Sequence, residues 1–141
     1  MSGSISIASD ILGPLTVEPS SVLTFPKGLL GFPECRSFVL LPSERPNVYW
    51  LQSVEYTSLA FLLVDPFVFF DGYTLDLGAT DLRSVSADGF SVLAIVTLPC
   101  DKGELPTANL QGPIVLNTAR GEGAQVVLSD SSYGIRESFV L

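Results

Sequence analysis

The sequence predicts an all-β protein, a small single-domain fold of short antiparallel strands that resembles a β-barrel. Ten prolines and twelve glycines are spread along the 141 residues, which leaves little room for long helices. Between these residues lie short runs rich in β-branched and aromatic side chains, the composition typical of strands. Many short strands with turn residues between them indicate a barrel or a sandwich.

Six runs are predicted to be strands, because each is about four to nine residues long and lies between Pro, Gly or Ser. They are SFVLLP (37–42), VYWLQS (48–53), LAFLLVD (59–65), FSVLAIVTLP (90–99), PIVLNT (113–118) and AQVVLS (124–129). Three further segments alternate between apolar and polar residues, as half-buried strands do. These are SISIA (4–8), VLTF (22–25) and YTLDL (73–77), and Asp76 in the last of them is expected to face solvent.

The connections follow from capping and turn residues. A short helix is predicted near 80–86, since Thr80 suits the N-cap and Asp81 suits the positive first turn. The stretch ARGEGAQ (119–125) is predicted to be a hairpin connection, because its two glycines can adopt the positive φ of tight turns. No linker or internal repeat divides the sequence, so residues 1–141 are expected to form one domain.

The segment LQGPIVLN (110–117) places two amides, Gln111 and Asn117, around an apolar run. Pro113 cannot donate to a central ladder, so it is predicted to lead into a strand over 114–116. The simplest interpretation is that both amides bind backbone groups where the chain enters and leaves the sheet. A binding site is the alternative.

The charge of the chain argues against direct nucleic-acid binding. Fifteen acidic and seven basic residues give a net charge of −8, whereas nucleic-acid affinity depends on Lys and Arg that meet phosphates. No basic residue occurs between positions 46 and 82. The acids in this window are Glu55, Asp65, Asp71, Asp76 and Asp81. Such a surface would attract a basic protein partner; the alternative is that the acids only keep an apolar chain in solution.

The sequence also gives an expectation for the cellular compartment of the protein. No stretch approaches the roughly 18 apolar residues of a membrane span, and no Lys or Arg precedes Lys27, unlike the basic start of a secretory signal. A cytoplasmic protein without membrane contact is therefore expected. Cys35 and Cys100 are too few for a disulfide framework. Each is expected to be a buried thiol, with a bridge between them as the alternative.

Histidine is absent from the chain, and this excludes Ser-His-Asp catalysis, Cys-His catalysis and histidine-containing zinc sites. No catalytic residue, metal ligand or cofactor is predicted. A carboxylate-based enzyme or a ligand-binding barrel remains an alternative, because a sequence cannot place two acids across a cleft.

The stretch DPFVFFDGY (65–73) sets four aromatic residues between acids, a composition typical of protein-binding hot spots. Some of these rings are expected to point into the barrel. On a regular strand Phe69 and Phe70 cannot both face inward, so one of the two is expected to be exposed or packed under a neighbouring loop.

Four blocks of the sequence occur in an order that is more specific than any single motif. They are LTFPKGLLGFPECRSFVLL (23–41), WLQSVEYTSLAFLLVDPFVFFDGYTLDL (50–77), VLAIVTLP (92–99) and TANLQGPIVLNTARGEGAQVVLSDSSY (107–133). Together they resemble the bacterial flagellar assembly factor FliW family, over nearly the whole chain from about Leu15 onward.

The resemblance implies a barrel-like fold, no enzymatic activity and no cofactor, with a monomer expected. It also implies two protein partners: flagellin, and the RNA-binding translational repressor CsrA. Factors of this family relieve the silencing of flagellin messenger RNA by CsrA, and free flagellin competes for the factor. A flagellin chaperone without translational control is the alternative.

The same resemblance implies an acidic surface that contacts CsrA. On this basis Phe69, Asp71 and Asp76 are predicted to face a partner, with Glu55 and Asp81 on the same electrostatic surface.

Overall fold

A computed structural model describes residues 3–74, 91–128 and 132–141. The strands within these residues are β1 (Ile5–Ser9), β2 (Gly13–Val17), β3 (Val22–Thr24), β4 (Ser37–Pro42), β5 (Val48–Ser53), β6 (Ala60–Val64), β7 (Ser91–Thr97), β8 (Thr107–Ala108), β9 (Ile114–Asn117), β10 (Glu122–Gln125) and β11 (Glu137–Ser138). A 3₁₀ turn covers Pro19–Ser21, and helix α1 covers Pro66–Phe69. The predicted all-β class is confirmed.

Seven of the described strands form a closed barrel. Their order is β7-β6-β5-β4-β3-β10-β9, and β9 returns to pair with β7. The pairings in this ring are antiparallel, apart from a parallel contact between β10 and β3. Ring closure leaves no free edge among these seven strands, which is how small β-proteins avoid edge-to-edge association. β8 and β11 extend the sheet beyond β7, and β1 and β2 form a separate hairpin.

The barrel interior is filled by side chains from alternate positions of the strands, as the pleat requires. Leu51 stands opposite Leu40 on one neighbouring strand and Phe61 on the other. The rings of Phe25 and Phe38 meet edge to face, with their centroids 5.1 Å apart. The large side chains with almost no exposed surface include Phe25, Phe38, Leu51, Leu63, Ile114 and Leu116.

The two glycines of the predicted connection over 119–125 have different roles. Gly121 has a φ of +66° in the turn between β9 and β10, as a tight turn requires. Gly123 is already in β10, where an added Cβ atom would clash with the ring of Phe25. The predicted connection is therefore too long. The strand predicted at 124–129 begins earlier, at Glu122, and ends at Gln125.

The outer wall of the barrel is also apolar in part, and the β1–β2 hairpin covers one section of it. The Ser9 hydroxyl donates to Oε1 of Gln52 at 2.6 Å, and Nε2 of Gln52 donates to the carbonyls of Ser53 at 3.0 Å and Leu59 at 3.2 Å. Gln52 is fully buried, so these bonds supply the partners that a buried amide needs.

A second section of the outer wall, on β5 to β8, is covered by α1 and by the segment that ends the chain. Val64, Ala94 and Ala108 are buried there together with Phe139. The strands β8 and β11, two residues each, hold this cover in place. A strand of two residues is too short to show an alternation of apolar and polar residues, so the sequence did not predict β8 or β11.

Five of the six runs that were predicted to be strands contain a strand at the predicted place. Strands β4 and β5 match the predicted bounds, and β6, β7 and β9 lie inside the predicted runs. The predicted helix at 80–86 lies outside the described residues, as do residues 75–77 of the predicted strand. Cys35 is buried as expected, but Cys100 is exposed, and both thiols are free.

We expect Gly123→Ala to lower the free energy of unfolding by about 1–3 kcal/mol, because the new methyl group overpacks the core against Phe25. Urea unfolding provides the measurement. Gly3→Ala is the matched control, since a Cβ atom at position 3 meets nothing within 4 Å. In a Phe25→Leu background the cost of Gly123→Ala should shrink; an undiminished cost would show that the Phe25 contact is not its cause.

Candidate partner-binding site

The segment from Asp65 to Thr74, here called the aromatic turn, begins with a capped helical turn instead of a strand. The Asp65 carboxylate accepts a hydrogen bond from the Phe67 N–H at 2.9 Å, and Pro66 occupies the start of α1. This pair is a favoured helix start, because the acid satisfies a free N–H and proline lacks one. The Phe70 N–H donates to the Pro66 carbonyl at 3.0 Å and closes the turn.

The helical turn decides which aromatic side chains face solvent. Phe67 and Val68 are 50% and 51% exposed. Phe69 and Phe70 are half-buried, and both pack against Phe139, with ring centroids 5.5 and 5.3 Å from its ring. The expectation that only one of the two could pack inward assumed a regular strand. Residues 66–69 form a helix, so that assumption is wrong.

Two tyrosines fix the end of the aromatic turn. The buried Tyr73 hydroxyl donates to the Leu110 carbonyl at 2.8 Å, and its ring lies 4.6 Å from the ring of Tyr133. The Tyr133 hydroxyl accepts a hydrogen bond from the Thr74 N–H at 2.9 Å. Burial, with a smaller contribution from Tyr133, raises the pKa of Tyr73. Hydrogen bonds with the side chain and with the backbone of Thr74 lower the pKa of Tyr133.

The C-terminal segment, residues 132–141, is itself anchored to the barrel. The Leu110 N–H donates to the Gly134 carbonyl at 3.1 Å, and the Phe139 N–H donates to the Pro106 carbonyl at 3.1 Å. The Glu137 carboxylate accepts from the Gly134 N–H at 3.0 Å. Because this segment is fixed by backbone bonds, its aromatic side chains give the aromatic turn a firm support.

The acids of the aromatic turn have different environments. The Asp65 carboxylate caps α1. Asp71 comes two residues after the end of α1 and is exposed beside Gly72, whose φ of +77° turns the chain. Asp71 is therefore three to four residues from the exposed Val68 and Phe67 in sequence, and its own exposure makes it available to a partner.

Glu55 is placed elsewhere. Its carboxylate accepts hydrogen bonds from the backbone N–H groups of Arg36 at 3.2 Å and Ser37 at 2.9 Å. Glu55 lies in the β5–β6 connection, whereas α1 follows the other end of β6, about 13 Å away along that strand. The structure thus does not bring Glu55 and Asp71 together. Asp76 and Asp81 lie outside the described residues.

Three residues of this site, Val68, Tyr133 and Phe139, were not predicted from the sequence, whereas Phe67 is one of the four aromatic residues of the predicted stretch DPFVFFDGY. Phe67 and Val68 form its exposed apolar part, and Tyr133 and Phe139 support it. The Asp65-Pro66 pair was the available signal, since it predicts a helix start and hence a different set of exposed side chains. The two supporting residues lie far along the chain and left no local signal.

The amides of LQGPIVLN serve the backbone in part as predicted. Asn117 is buried, and its Oδ1 accepts from the Arg120 N–H at 3.2 Å in the turn after β9. At the start of the segment the capping amide is Asn109, whose Oδ1 accepts from the N–H groups of Gln111 at 3.1 Å and Gly112 at 2.8 Å. The structure gives Asn109, and not the Gln111 side chain, this capping role.

The described part of the chain contains neither a candidate metal centre nor a candidate membrane-spanning helix. Residues 3–74, 91–128 and 132–141 contain no group of three or more His, Cys, Asp or Glu side chains that could hold a metal ion. Among the helices of these residues, none has the length and apolar character needed to cross a membrane.

A closed barrel with an anchored, half-exposed aromatic turn on its outer wall defines a small β-protein with a candidate surface for protein binding. Comparison with known proteins gives the family: the model of the FliW protein family matches residues 6–139. The chain belongs to the FliW family, a family of flagellar assembly factors.

Individual relatives agree with this assignment. The flagellar assembly factor FliW of Natranaerobius thermophilus is 35% identical over 133 residues, which cover 92% of this chain and 88% of the relative. That of Heliobacterium modesticaldum is 38% identical over 131 residues, 90% of this chain and 85% of the relative. A crystal structure of the flagellar assembly factor FliW superposes with a TM-score of 0.81 at 31% identity and covers 94% of this chain and 95% of that one.

We expect Tyr73→Phe to lower the free energy of unfolding by about 1 kcal/mol at neutral pH, because the buried Leu110 carbonyl loses its donor. The raised pKa of Tyr73 stabilises the folded state below the unfolded-state pKa of about 10, and this contribution is lost as the pH rises above that value. The wild-type protein should therefore lose more stability than Tyr73→Phe between neutral pH and about pH 10.5.

Urea unfolding at both pH values measures this difference. Tyr56→Phe, at a position where the side chain is 46% exposed, is the control and should follow the wild type. An equal alkaline loss in Tyr73→Phe and the wild type would contradict the role assigned to the Tyr73 hydroxyl.

Proposed function

We propose that this chain is a non-enzymatic, cytoplasmic flagellar assembly factor that binds flagellin and antagonises the translational repressor CsrA. In this way it couples the translation of flagellin to the amount of free flagellin. Membership of the FliW family supports the flagellar role, and the proposed partners are those that the resemblance implies.

One observation carries the assignment of the binding surface: Phe67 and Val68 are held half-exposed on a turn that is capped and packed from below. Exposed aromatic and aliphatic side chains on a rigid base lose little conformational entropy when a partner covers them. Such side chains next to polar ones form the centre of many protein interfaces. Phe69 belongs to the same surface through its accessible part, while the rest of its ring rests on Phe139.

The charge supports a basic partner. An RNA-binding protein such as CsrA carries positive charge for its RNA, and the net charge of −8 on this chain would attract it. We propose that Asp71 and Asp76 meet CsrA directly and that Asp81 adds to the same field. Glu55, at the other end of β6, would act on the partner only from a distance.

Reversing the charge of Asp71 and Asp76 together, with Asp71→Lys and Asp76→Lys, is expected to weaken CsrA binding about tenfold at low salt, or about 1.4 kcal/mol. The difference from the wild type should shrink as salt rises, because screening weakens charge interactions at a surface. Calorimetry with purified CsrA at several salt concentrations measures both effects.

The matched control is Glu104→Lys, an exposed acid between β7 and β8, at the end of the barrel away from α1. It should bind CsrA much as the wild type does. Equal affinity of the double variant and the wild type at every salt concentration would show that the acidic surface does not hold CsrA.

A second measurement separates translational control from a chaperone role. CsrA bound to a labelled flagellin messenger RNA leader should release the RNA when this protein is added, and flagellin should reverse the release. If the protein binds flagellin but leaves the CsrA–RNA complex unchanged, it acts as a flagellin chaperone without translational control. Phe67→Ser should weaken flagellin binding, whereas Leu105→Ser, at a similarly exposed leucine elsewhere, should not.

A further inference from the structure

The C-terminal segment, residues 132–141, is joined to the sheet by fewer contacts than the strands of the closed ring need for closure. β11 pairs with β8 through two residue pairs, and β8 pairs with β7 through two. Within the described residues, no strand lies along the other edge of β11. The ring of seven strands closes without β8 or β11. We therefore expect the segment to open at a lower free energy than the barrel, as regions with few contacts do.

Two aromatic residues of the C-terminal segment hold the aromatic turn. Phe69 and Phe70 both rest on Phe139, with ring centroids 5.5 and 5.3 Å from its ring. At the other end of the turn, the Thr74 N–H donates to the Tyr133 hydroxyl at 2.9 Å. The aromatic turn therefore has a contact with the C-terminal segment both at the end of α1 and at its own last residue.

A single residue of the barrel side, Leu110, binds both segments. Its carbonyl accepts from the Tyr73 hydroxyl at 2.8 Å, and its N–H donates to the Gly134 carbonyl at 3.1 Å. The Tyr73 ring also lies 4.6 Å from the ring of Tyr133. The aromatic turn and the C-terminal segment thus share one attachment point and contact each other beside it.

The aromatic turn has little structure of its own to fall back on. Helix α1 is a single turn of four residues, and helices this short are unstable in water without tertiary contacts. If the C-terminal segment left β8, Phe69 and Phe70 would lose the ring beneath them, and the Thr74 N–H would lose its acceptor. Of the contacts described above, the Asp65 cap and the Tyr73 hydroxyl bond would remain.

We propose that the C-terminal segment is a strap that controls the aromatic turn, and that the two segments dock and undock together while the barrel stays closed. Only the docked state holds Phe67 and Val68 in place on the surface. The docked fraction of the protein therefore sets the apparent affinity for flagellin at this pair. The consequence for flagellin rests on the proposed function, whereas the joint undocking does not.

Amide hydrogen exchange of the full chain, followed residue by residue by NMR, tests the joint undocking. In Phe139→Ala the Leu110 N–H, which reports on the C-terminal segment, should exchange at least about tenfold faster than in the wild type. The Phe70 and Tyr73 N–H groups, which report on the aromatic turn, should accelerate by a similar factor. The amides of the ladder between β4 and β5 should keep their wild-type rates.

Three further variants make the test specific. Phe139→Leu keeps an apolar side chain and should restore part of the protection. Val140→Ser, on the same segment at a side chain that is 76% exposed, is the matched control and should exchange like the wild type. Should Phe139→Ala fail to fold, Glu137→Ala decides, since it removes only the acceptor of the Gly134 N–H. It should accelerate the same amides about fivefold, as expected for one lost hydrogen bond.

Two results would overturn the joint undocking. The first is a folded variant in which the Leu110 N–H exchanges faster while Phe70 and Tyr73 keep their wild-type rates, because the turn would then not depend on the segment. The second is an equal acceleration in the ladder between β4 and β5, because the segment would then open only with the whole barrel.

Calorimetry with flagellin tests the control of binding. Phe139 is only 5% exposed and offers a partner almost no surface, yet Phe139→Ala should weaken flagellin binding at least about fivefold, because the docked fraction falls. Val140→Ser should bind like the wild type. Equal affinity of Phe139→Ala and the wild type, together with faster exchange, would show that the segment does not control the site. If the wild type itself fails to bind flagellin, the proposed function is wrong, and the exchange rates alone still decide the joint undocking.

Discussion

The architecture depends on the pairing of strand β7. One of its edges pairs with β6, and its other edge is divided between β9, over Ser91–Leu93, and β8, over Val96–Thr97. The contact with β9 closes the barrel, while the contact with β8 leads to β11 and the C-terminal segment. The same strand therefore links the closed core to the support of the aromatic turn. A substitution that weakens the pairing of β7 would therefore affect both the closed barrel and the support of the aromatic turn.

The outer wall explains how this barrel provides a binding surface. Closure buries the inner face of each strand, but the outer face still carries apolar side chains such as Val64 and Val96. Three covers bury most of these side chains: the β1–β2 hairpin, the aromatic turn with the C-terminal segment, and the residues after β10, where Val126 and Leu128 pack against Val115. The covering segments themselves keep some apolar side chains exposed, among them Phe67 and Val68. The candidate binding surface therefore arises because the segments that bury the outer wall keep some of their own apolar side chains exposed.

Local sequence signals predicted much of the fold. Runs of β-branched and aromatic residues between breaks predicted the main barrel strands, since a run between turns has few other stable conformations. The predictions were wrong where a residue had a tertiary role. Gly123 was interpreted as a turn residue, but it lies in a strand, where the ring of Phe25 leaves no room for a side chain at position 123. β8 and β11 were not predicted, because two paired residues depend on neighbouring strands and not on a local pattern.

The sequence alone determined the all-β class, the absence of histidine chemistry, the acidic charge and the resemblance to the FliW family, because these depend on composition and on the order of residues. Only the tertiary structure decided which members of the acid-rich and aromatic window can act together. Glu55 and Asp71 are separated by β6 because an antiparallel chain reverses at every turn. Phe69 rests on Phe139 while Phe67 faces solvent, because the Asp65 cap starts a helical turn and the supporting ring comes from the far end of the described chain.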